Sequence, residues 1–304
     1  MRPYNMTARD YERFAHSPYV FTHFSEVDIS IFDWIQNFKC AGKTDRRYND
    51  VIVMFDTETS KKDNGTPDNH ICAWTISFAC HNIPFLTAWG RKPSEFIEFM
   101  NKVRARLPEG DIYCYAHNLP YDYVFLRKFM FKAWGNPKSQ LNVKPHYPIR
   151  VDFENGIVLR DSLILAQRKL EKWADDLNVR HKKATGKWDY DKLRNQDEEY
   201  TPDELEYIEH DTLAGVECIG SLMATLNKHI YSMPFTATGI PREESRFIGF
   251  KNHAKEKFLK IAPPFDVQME LEAVFHGGFT HANRYFVGQV VDQQYLEDIC
   301  DDTY

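Results

Sequence analysis

The sequence has no long apolar run, no internal repeat and no low-complexity tract, and each absence excludes a class of protein. Its longest apolar stretches, such as residues 51–55, cover a few residues, whereas a membrane-spanning helix needs about 20. The N-terminus carries charge early, at Arg2, Arg9 and Asp10, and lacks the apolar core of a secretion signal. We therefore expect a cytoplasmic protein with no membrane partner.

Paired cysteines are also missing. The six cysteines are scattered, with neither a Cys-x-x-Cys pair nor the spacing of a metal finger, and their neighbours are mostly apolar or aromatic. This pattern predicts reduced core residues. The six are Cys40, Cys72, Cys80, Cys114, Cys218 and Cys300.

The composition is that of an ordinary globular protein of one large domain or two ordinary ones: 304 residues, 43% hydrophobic and 27% charged. The net charge of −6 is unevenly distributed, because residues 127–187 hold 14 Lys and Arg against six Asp and Glu. That local charge of +8 leaves −14 for the remainder. A basic segment of this kind can steer a phosphate backbone toward one face, and it can equally be a solvated basic surface.

Apolar periodicity and turn signals predict an α/β domain that begins near Asp50. Predicted strands cover residues 51–57, 71–79, 84–89 and 112–115, with a hairpin over 148–161. Predicted helices cover residues 93–107, 121–131, 166–177 and 202–226, and a short one lies near 29–38. Thr201, Pro202 and Glu204 form a capping box that begins the longest of these helices.

Asp56 and Glu58 close the strand-like run 51–58, at the end of the first of these strands. Side chains alternate faces along a strand, so carboxylates at i and i+2 point the same way and repel each other unless they share a cation. Such hard oxygen ligands suit Mg²⁺ or Mn²⁺. Taken alone, the pair could also be an ordinary surface Asp-x-Glu.

Three more residues extend this pair into a set. Asp122 follows the strand at 112–115 where a helix begins, the usual position of a site in an α/β fold, although an Asp there can simply cap the helix. Tyr207 and Asp211 share one face of the long helix at i, i+4 spacing. Each could be a surface residue, but four carboxylates in this order match a two-metal phosphodiesterase, with ions about 3.5–4 Å apart.

The set resembles the three exonuclease motifs of DEDDy proofreading exonucleases, which have an RNase H-like fold. The stretches 115–122, 161–163 and 275–280 are similar to protein-primed family B DNA polymerases of linear-genome phages and plasmids. The resemblance implies an RNase H-like exonuclease fold, a mixed sheet flanked by helices, followed by an incomplete palm segment. It also implies two divalent ions, Mg²⁺ or Mn²⁺, on Asp56, Glu58, Asp122 and Asp211, with Tyr207 orienting the attacking water.

The resemblance further implies residues that hold single-stranded DNA. Aromatic side chains stack on bases without reading sequence, as editing requires. The matching positions are Thr59, Tyr115, His117, Asn118, Tyr121, Phe125, Ser162 and Leu163. Phe275, Gly277 and Gly278 match the Tyr-x-Gly-Gly segment that couples exonuclease and polymerase domains and touches template, with Phe in place of Tyr. A plain Gly-Gly turn is the alternative for that segment.

The catalytic lysine of the family has no direct match. The family position falls on Thr185, while Lys183 lies nearby and Lys187 heads a shifted Lys-x-x-Tyr. We assign the role to Lys187. The palm motif Asp-x-x-Ser-Leu-Tyr-Pro is not found after residue 290, so we expect no polymerisation from this chain alone.

These motifs predict three regions: an N-terminal extension (1–47), a 3′-5′ exonuclease domain (48–230), and a linker with partial palm (231–304). The predicted partners are single-stranded and primer-template DNA, together with a terminal protein or the remaining polymerase region, in the host cytoplasm if the chain is phage-encoded. The alternatives are a non-catalytic module that binds single-stranded DNA or a polymerase, and a free-standing 3′-5′ exonuclease.

Overall fold

The central feature is one mixed β-sheet. The computed structural model describes residues 19–42, 45–61, 69–182, 188–189, 192–194 and 198–274. Nine strands are found there: β1 (Val20–His23), β2 (Asn37–Lys39), β3 (Arg47–Lys61), β4 (Asn69–Cys80), β5 (Ile83–Gly90), β6 (Asp111–Ala116), β7 (Ser139–Lys144), β8 (Tyr147–Asp152) and β9 (Ile157–Asp161). Their order across the sheet is β1-β5-β4-β3-β6-β9-β8-β7, with β2 paired to β3.

The α-helices in the described part of the chain are α1 (Pro93–Arg106), α2 (Leu119–Trp134), α3 (Leu163–Ala166), α4 (Leu170–Asp176), α5 (Pro202–Leu226), α6 (Gly239–Lys251), α7 (Ala254–Ile261) and α8 (Phe265–Val274). Of these, α1, α2 and α5 pack against the strands of the sheet. Short 3₁₀ turns cover Phe24–Glu26, Ile29–Phe32 and Ile230–Ser232. The predicted α/β class, a mixed sheet with flanking helices, is confirmed.

Strand β3 positions the site because it lies in the middle of the sheet, antiparallel to β4 and parallel to β6. Val51, Val53 and Phe55 pack into one core cluster with residues of α1 and α2. Ile52 and Met54 belong to a second cluster, which includes residues of α5. Both faces of β3 are therefore buried, which explains its nearly continuous apolar run.

Helix α5 begins as its capping box predicts. Thr201 Oγ1 accepts a hydrogen bond from the Glu204 amide at 3.2 Å, and Glu204 Oε2 accepts one from the Thr201 amide at 2.9 Å. Pro202 takes the first helical position, where a missing N–H costs nothing. The helix ends at Asn227, whose φ of 50° is left-handed.

Two of the predicted helices were wrong in their extent. The segment 29–38 holds only the 3₁₀ turn Ile29–Phe32 and then the strand β2, because residues 37–39 pair with β3. The segment 166–177 is divided at Gln167, whose φ of 54° ends α3 before α4 begins. The early residues also contribute to the core, since Phe24 and Phe32 are buried in the cluster that contains β3.

The chain divides into two compact units, Met1–Glu243 and Glu244–Tyr304. The described part of the second unit consists of the end of α6 followed by α7 and α8. The predicted limits at 47/48 and 230/231, and the partial palm, stay predictions. Among the described residues, no helix combines the length and hydropathy needed to cross a bilayer. The five cysteines within those residues are buried and free, as predicted.

Candidate active site

Three carboxylates meet at the end of β3. Asp56 and Glu58 lie on its α5-facing side, and Asp211 comes from α5 itself. One oxygen from each of the three lies within 4.8 Å of the other two. Glu58 and Asp211 are buried and Asp56 is partly buried. We call Asp56, Glu58 and Asp211 the carboxylate trio.

The position of α5 along the sheet is fixed by polar and steric contacts next to the trio. Thr212 Oγ1 hydrogen-bonds with Ser77 Oγ of β4 at 2.7 Å, and both groups are fully buried. One turn later Gly215 lies against Met54, where an added Cβ would come within 2.6 Å of the methionine sulfur. These contacts place Asp211 opposite the end of β3.

The trio can hold a divalent cation. Two like charges about 4 Å apart repel by about 4 kcal/mol at an effective dielectric constant of 20, so three ionised carboxylates at this separation favour a bound counter-charge. Hard carboxylate oxygens are the ligands that Mg²⁺ and Mn²⁺ prefer. The donor set therefore fits the predicted ions.

Asp122 lies beside the trio and outside it. Its Oδ1 accepts hydrogen bonds from the Thr57 amide at 3.0 Å and from Thr57 Oγ1 at 2.7 Å. Asp122 belongs to α2, which packs on the opposite face of β3 from α5. Burial raises the pKa of Asp122 from 3.8 to about 7, although the Thr57 hydrogen bonds oppose the shift and the charge of Asp161 adds to it.

Tyr207 lies one helical turn before Asp211 and is buried. Its ring stacks on Trp188, with centroids 5.6 Å apart and planes at 27°. The guanidinium of Arg194 covers the same tryptophan at 4.0 Å from the ring centroid. Lys187, the predicted catalytic lysine, lies outside the described residues.

Three of the predicted DNA-binding residues form one partly exposed patch next to the trio. Thr59 Oγ1 and the Tyr121 hydroxyl lie 2.6 Å apart, and the rings of Tyr121 and Phe125 meet edge to face at 5.2 Å. A register shift between Glu58 and Thr59 breaks the alternation of β3 at this point. Burial raises the pKa of Tyr121, and the Glu58 charge adds to the shift. We call Thr59, Tyr121 and Phe125 the edge patch.

A second group forms around His117. The two ring nitrogens of His117 lie 3.0 Å from Ser162 Oγ and 3.0 Å from the Arg168 carbonyl oxygen, and its ring stacks on Trp173. Ser162 is fully buried and donates to the Ala116 carbonyl at 3.1 Å. The following residue, Leu163, is partly buried.

Two further predicted DNA-binding residues have structural positions: Asn118 takes the N-cap position of α2, and Tyr115 is buried in the core. Asn118 precedes α2 with a left-handed φ of 94°, and its carbonyl accepts from the Tyr121 amide at 2.9 Å. Tyr115 is 1% exposed, with its hydroxyl 3.2 Å from Arg160 Nη1, so base stacking by its ring requires local opening. Phe275, Gly277 and Gly278 lie outside the described residues.

The sequence interpretation missed Thr57, Asp161 and Trp188. Thr57 was the middle residue of the Asp-x-Glu pair, and only its position on the opposite face reveals that it can reach Asp122. Asp161 was visible as the residue before Ser162. It is buried, and its Oδ1 accepts from the Leu163 amide at 2.7 Å. Trp188 follows the predicted lysine directly, and no local signal indicates that its ring contacts Tyr207.

The fold and the trio together define an α/β protein with a carboxylate group where a central strand meets the flanking helix. No protein-family model matches the sequence, and no curated protein sequence matches it. Solved structures of similar fold do exist, and structures of Phi29 DNA polymerase are among them.

The ternary complex of that polymerase with primer-template DNA and incoming nucleotides aligns at 20% identity and a TM-score of 0.56, over 78% of this chain and 40% of that one. Its complex with single-stranded DNA aligns at 20% identity and a TM-score of 0.57, over 77% and 41%. The post-translocation binary complex with primer-template DNA aligns at 20% identity and a TM-score of 0.55, over 78% of this chain and 41% of that one. This chain therefore shares the fold of about two fifths of Phi29 DNA polymerase.

Proposed function

We propose that this chain carries the 3′-5′ proofreading exonuclease of a protein-primed family B DNA polymerase acting in DNA replication. The observation that carries the proposal is the carboxylate trio at the end of β3, with Tyr207 one helical turn from Asp211. The edge patch lies beside the trio and offers a surface for a DNA 3′ end. The fold shared with Phi29 DNA polymerase supports the same interpretation.

In the proposed reaction each residue of the site has a separate role. The trio and Asp122 would hold two Mg²⁺ or Mn²⁺ ions, which when bound activate water and stabilise the leaving 3′ oxygen. The Tyr207 hydroxyl would orient the attacking water by hydrogen bonding, and the stacked ring of Trp188 restricts where that hydroxyl can go. The Thr57 donors hold Asp122 next to the backbone between Asp56 and Glu58. Lys187 completes the proposed catalytic set.

The terminal nucleotides would bind along the edge patch and His117. Phe125 and Tyr121 present aromatic surface for stacking, and the paired hydroxyls of Thr59 and Tyr121 can donate to phosphate or sugar oxygens. The His117 ring is fixed between Ser162 and Arg168 at the same end of the sheet. None of these contacts reads the base, which suits an editing site.

The proposed partners are single-stranded and primer-template DNA. Both occur in the complexes of Phi29 DNA polymerase. The chain covers about 40% of that polymerase, so the remaining polymerase region or a terminal protein is proposed as a protein partner. Residues 231–304 would form the linker and a partial palm, and they include the Phe275, Gly277 and Gly278 segment.

The test is the degradation of 3′-recessed and single-stranded DNA, labelled at the 5′ end, in the presence of Mg²⁺ or Mn²⁺. We expect a ladder of products shortened from the 3′ end. The Asp56→Ala/Glu58→Ala variant should lower the rate by roughly a hundredfold or more, because it removes two of the three trio ligands. Glu98→Gln, which changes an exposed carboxylate of α1 paired with Lys102, is the matched control and should leave the rate unchanged.

The outcomes separate the candidate functions. Equal degradation by the intact chain and the double variant would overturn the assigned site. DNA binding without degradation would favour the non-catalytic module. Equal activity on DNA and RNA 3′ ends would favour a free-standing exonuclease unrelated to replication.

A further inference from the structure

A second group of ligand-type side chains lies at the opposite end of β3 from the trio. Asp50, Cys80 and His81 offer one oxygen, one sulfur and one nitrogen, all within 4.8 Å of one another. Asp50 precedes Asp56 by six residues, which along a strand is about 20 Å. We propose that Asp50, Cys80 and His81 form a transition-metal site, with Zn²⁺ the preferred ion. We call these three residues the turn site.

The distances fit shared coordination. His81 Nε2 and Asp50 Oδ2 are 3.5 Å apart. Two ligands bonded to one tetrahedral Zn²⁺ at about 2.0 Å each are separated by about 3.3 Å, so small side-chain shifts would close the geometry. Among the described residues, His81 Nε2 is buried and makes no hydrogen bond. A buried polar atom without a hydrogen bond is uncommon in folded proteins, and a metal ligand bond would satisfy this nitrogen.

The backbone of the turn brings the three together. Cys80 ends β4 and His81 follows it, so a regular strand would send their side chains to opposite faces. His81 instead has a left-handed φ of 57°, which turns its imidazole toward the same space as the Cys80 thiol. The positive φ follows from the β4–β5 hairpin, in which Cys80 pairs with Ile83 across a two-residue turn whose first position requires it.

The elements around the turn site are closely packed. Gly220 of α5 lies so near the turn that an added Cβ would be 2.0 Å from the His81 carbonyl oxygen. His229 follows α5 and interacts electrostatically with Asp50 and His81, while its Nδ1 lies 2.8 Å from the Tyr48 hydroxyl. A structural zinc site usually has four ligands. His229 or a water molecule would supply the fourth.

The donor chemistry separates the turn site from the trio. The trio has only carboxylate oxygens, which suit Mg²⁺ and Mn²⁺, whereas sulfur and imidazole nitrogen suit Zn²⁺. An ion bound at the turn site would join β3 to the β4–β5 turn. With His229 as the fourth ligand it would also hold the segment that follows α5, the helix that carries Asp211.

The competing explanation is an Asp50–His81 ion pair next to an ordinary core cysteine. Titration of the metal-free full-length chain with Co²⁺ distinguishes the two, because a cobalt–thiolate bond gives a charge-transfer absorption in the near ultraviolet and tetrahedral Co²⁺ gives visible bands. We expect both bands to saturate at one Co²⁺ per chain and to disappear when Zn²⁺ is added. Zn²⁺ should also raise the unfolding midpoint of the chain.

Variants locate the site. Cys80→Ser and His81→Gln should each weaken Co²⁺ binding at least tenfold. Cys218→Ser, which alters another buried thiol, and Asp56→Ala/Glu58→Ala, which removes two trio ligands, should both retain the bands. The proposal is overturned if the wild-type chain shows no thiolate band with Co²⁺ in excess, or if the band is lost with Cys218→Ser and survives Cys80→Ser. The wild-type titration decides the matter even if a variant does not fold.

Discussion

Thr57 connects the two faces of β3 at the candidate active site. Its neighbours Asp56 and Glu58 face α5, while its own amide and hydroxyl both donate to Asp122 of α2. In Thr57→Val the shape is kept and the hydroxyl is lost, so the buried Asp122 loses one of the two donors that Thr57 supplies. We expect the free energy of unfolding at pH 7 to fall by about 1–3 kcal/mol, measured by urea denaturation.

Thr225→Val is the control for that measurement. Thr225 is an exposed residue of α5 whose hydroxyl donates to the Ser221 carbonyl at 2.9 Å. An exposed substitution of this kind should change the free energy of unfolding by no more than about 0.5 kcal/mol. Equal effects of the two variants would contradict the role assigned to the Thr57 hydroxyl.

The Glu204 carboxylate predicts how the stability of the fold depends on pH. Burial by itself would raise the pKa of Glu204, but hydrogen bonds from the Thr201 amide and the Arg194 guanidinium outweigh it and lower the pKa from 4.5 to about 2. A lowered folded-state pKa means that the charged form stabilises the fold above pH 4.5 and that this contribution is lost as the pH falls toward 2.

Glu204→Gln should therefore be less stable than the wild type at pH 7, by about 2 kcal/mol, because the buried Arg194 loses its charged partner. The difference should shrink steadily as the pH falls from 4.5 toward 2. The measurement is the urea midpoint of both proteins at several pH values in that interval. A difference that does not vary with pH would contradict the assigned pKa.

At the scale of the element, α5 depends on two glycines for its approach to the sheet. Gly220→Ala would place a Cβ 2.0 Å from the His81 carbonyl oxygen, which is backbone and cannot move away alone. Alanine favours a helix over glycine by about 1 kcal/mol. We nevertheless expect Gly220→Ala to destabilise the chain, by about 1–3 kcal/mol, in chemical denaturation.

Gly215→Ala is the comparison on the same helix. Its added Cβ would meet the flexible end of the Met54 side chain at 2.6 Å, and that side chain can adopt another rotamer. Gly215→Ala should therefore lower the free energy of unfolding by less than Gly220→Ala does. If Gly215→Ala were the more destabilising variant, the backbone of the turn before β5 would have to shift more easily than the side chains packed around Met54.

The elements best predicted from sequence are those whose own residues determine them. Strand β3 has a continuous apolar run, and α5 has a complete capping box, so both could be located. Strand β7 was not predicted: Leu141 and Val143 alternate with polar residues there, but the pattern holds only two apolar positions, and the strand is exposed along its whole length. Strand β2 exists because it pairs with β3, a tertiary contact that overrides the local helical pattern.

The candidate site was predictable to a similar degree. Strand alternation predicted that Asp56 and Glu58 point the same way, and the order of the carboxylates along the chain suggested that Asp211 joins them; in the structure the three lie together. These patterns could not indicate that Asp122 approaches from the other helix layer, because its orientation depends on which face α2 covers. The same limit applies to the turn site, where a left-handed His81 brings adjacent residues to one side.

At the scale of the whole molecule, charge is concentrated where the proposed function needs it. The chain has a net charge of −6, yet residues 127–187 have an excess of eight positive charges. On α2, which also carries Tyr121 and Phe125 of the edge patch, Arg127, Lys128 and Lys132 are exposed. They can contact the backbone of a single strand whose 3′ end lies at the edge patch.

The triple variant Arg127→Gln/Lys128→Gln/Lys132→Gln should weaken binding of single-stranded DNA and also make it less sensitive to salt. Each phosphate contact on a single strand contributes about 0.7 to the slope of log affinity against log salt, so losing three contacts should lower the slope by about 2. Fluorescence anisotropy across a salt series, with Ca²⁺ in place of Mg²⁺ to limit cleavage, measures this slope.

A variant with the same net charge tests whether position or total charge matters. Lys39→Gln/Lys102→Gln/Lys251→Gln also removes three exposed positive charges, all from outside the basic segment. If the DNA follows α2, this variant keeps the wild-type slope, because phosphate contacts release counterions only where the strand lies. If both variants lower the slope equally, the DNA responds to the overall field of the molecule, and the basic segment is a solvated surface.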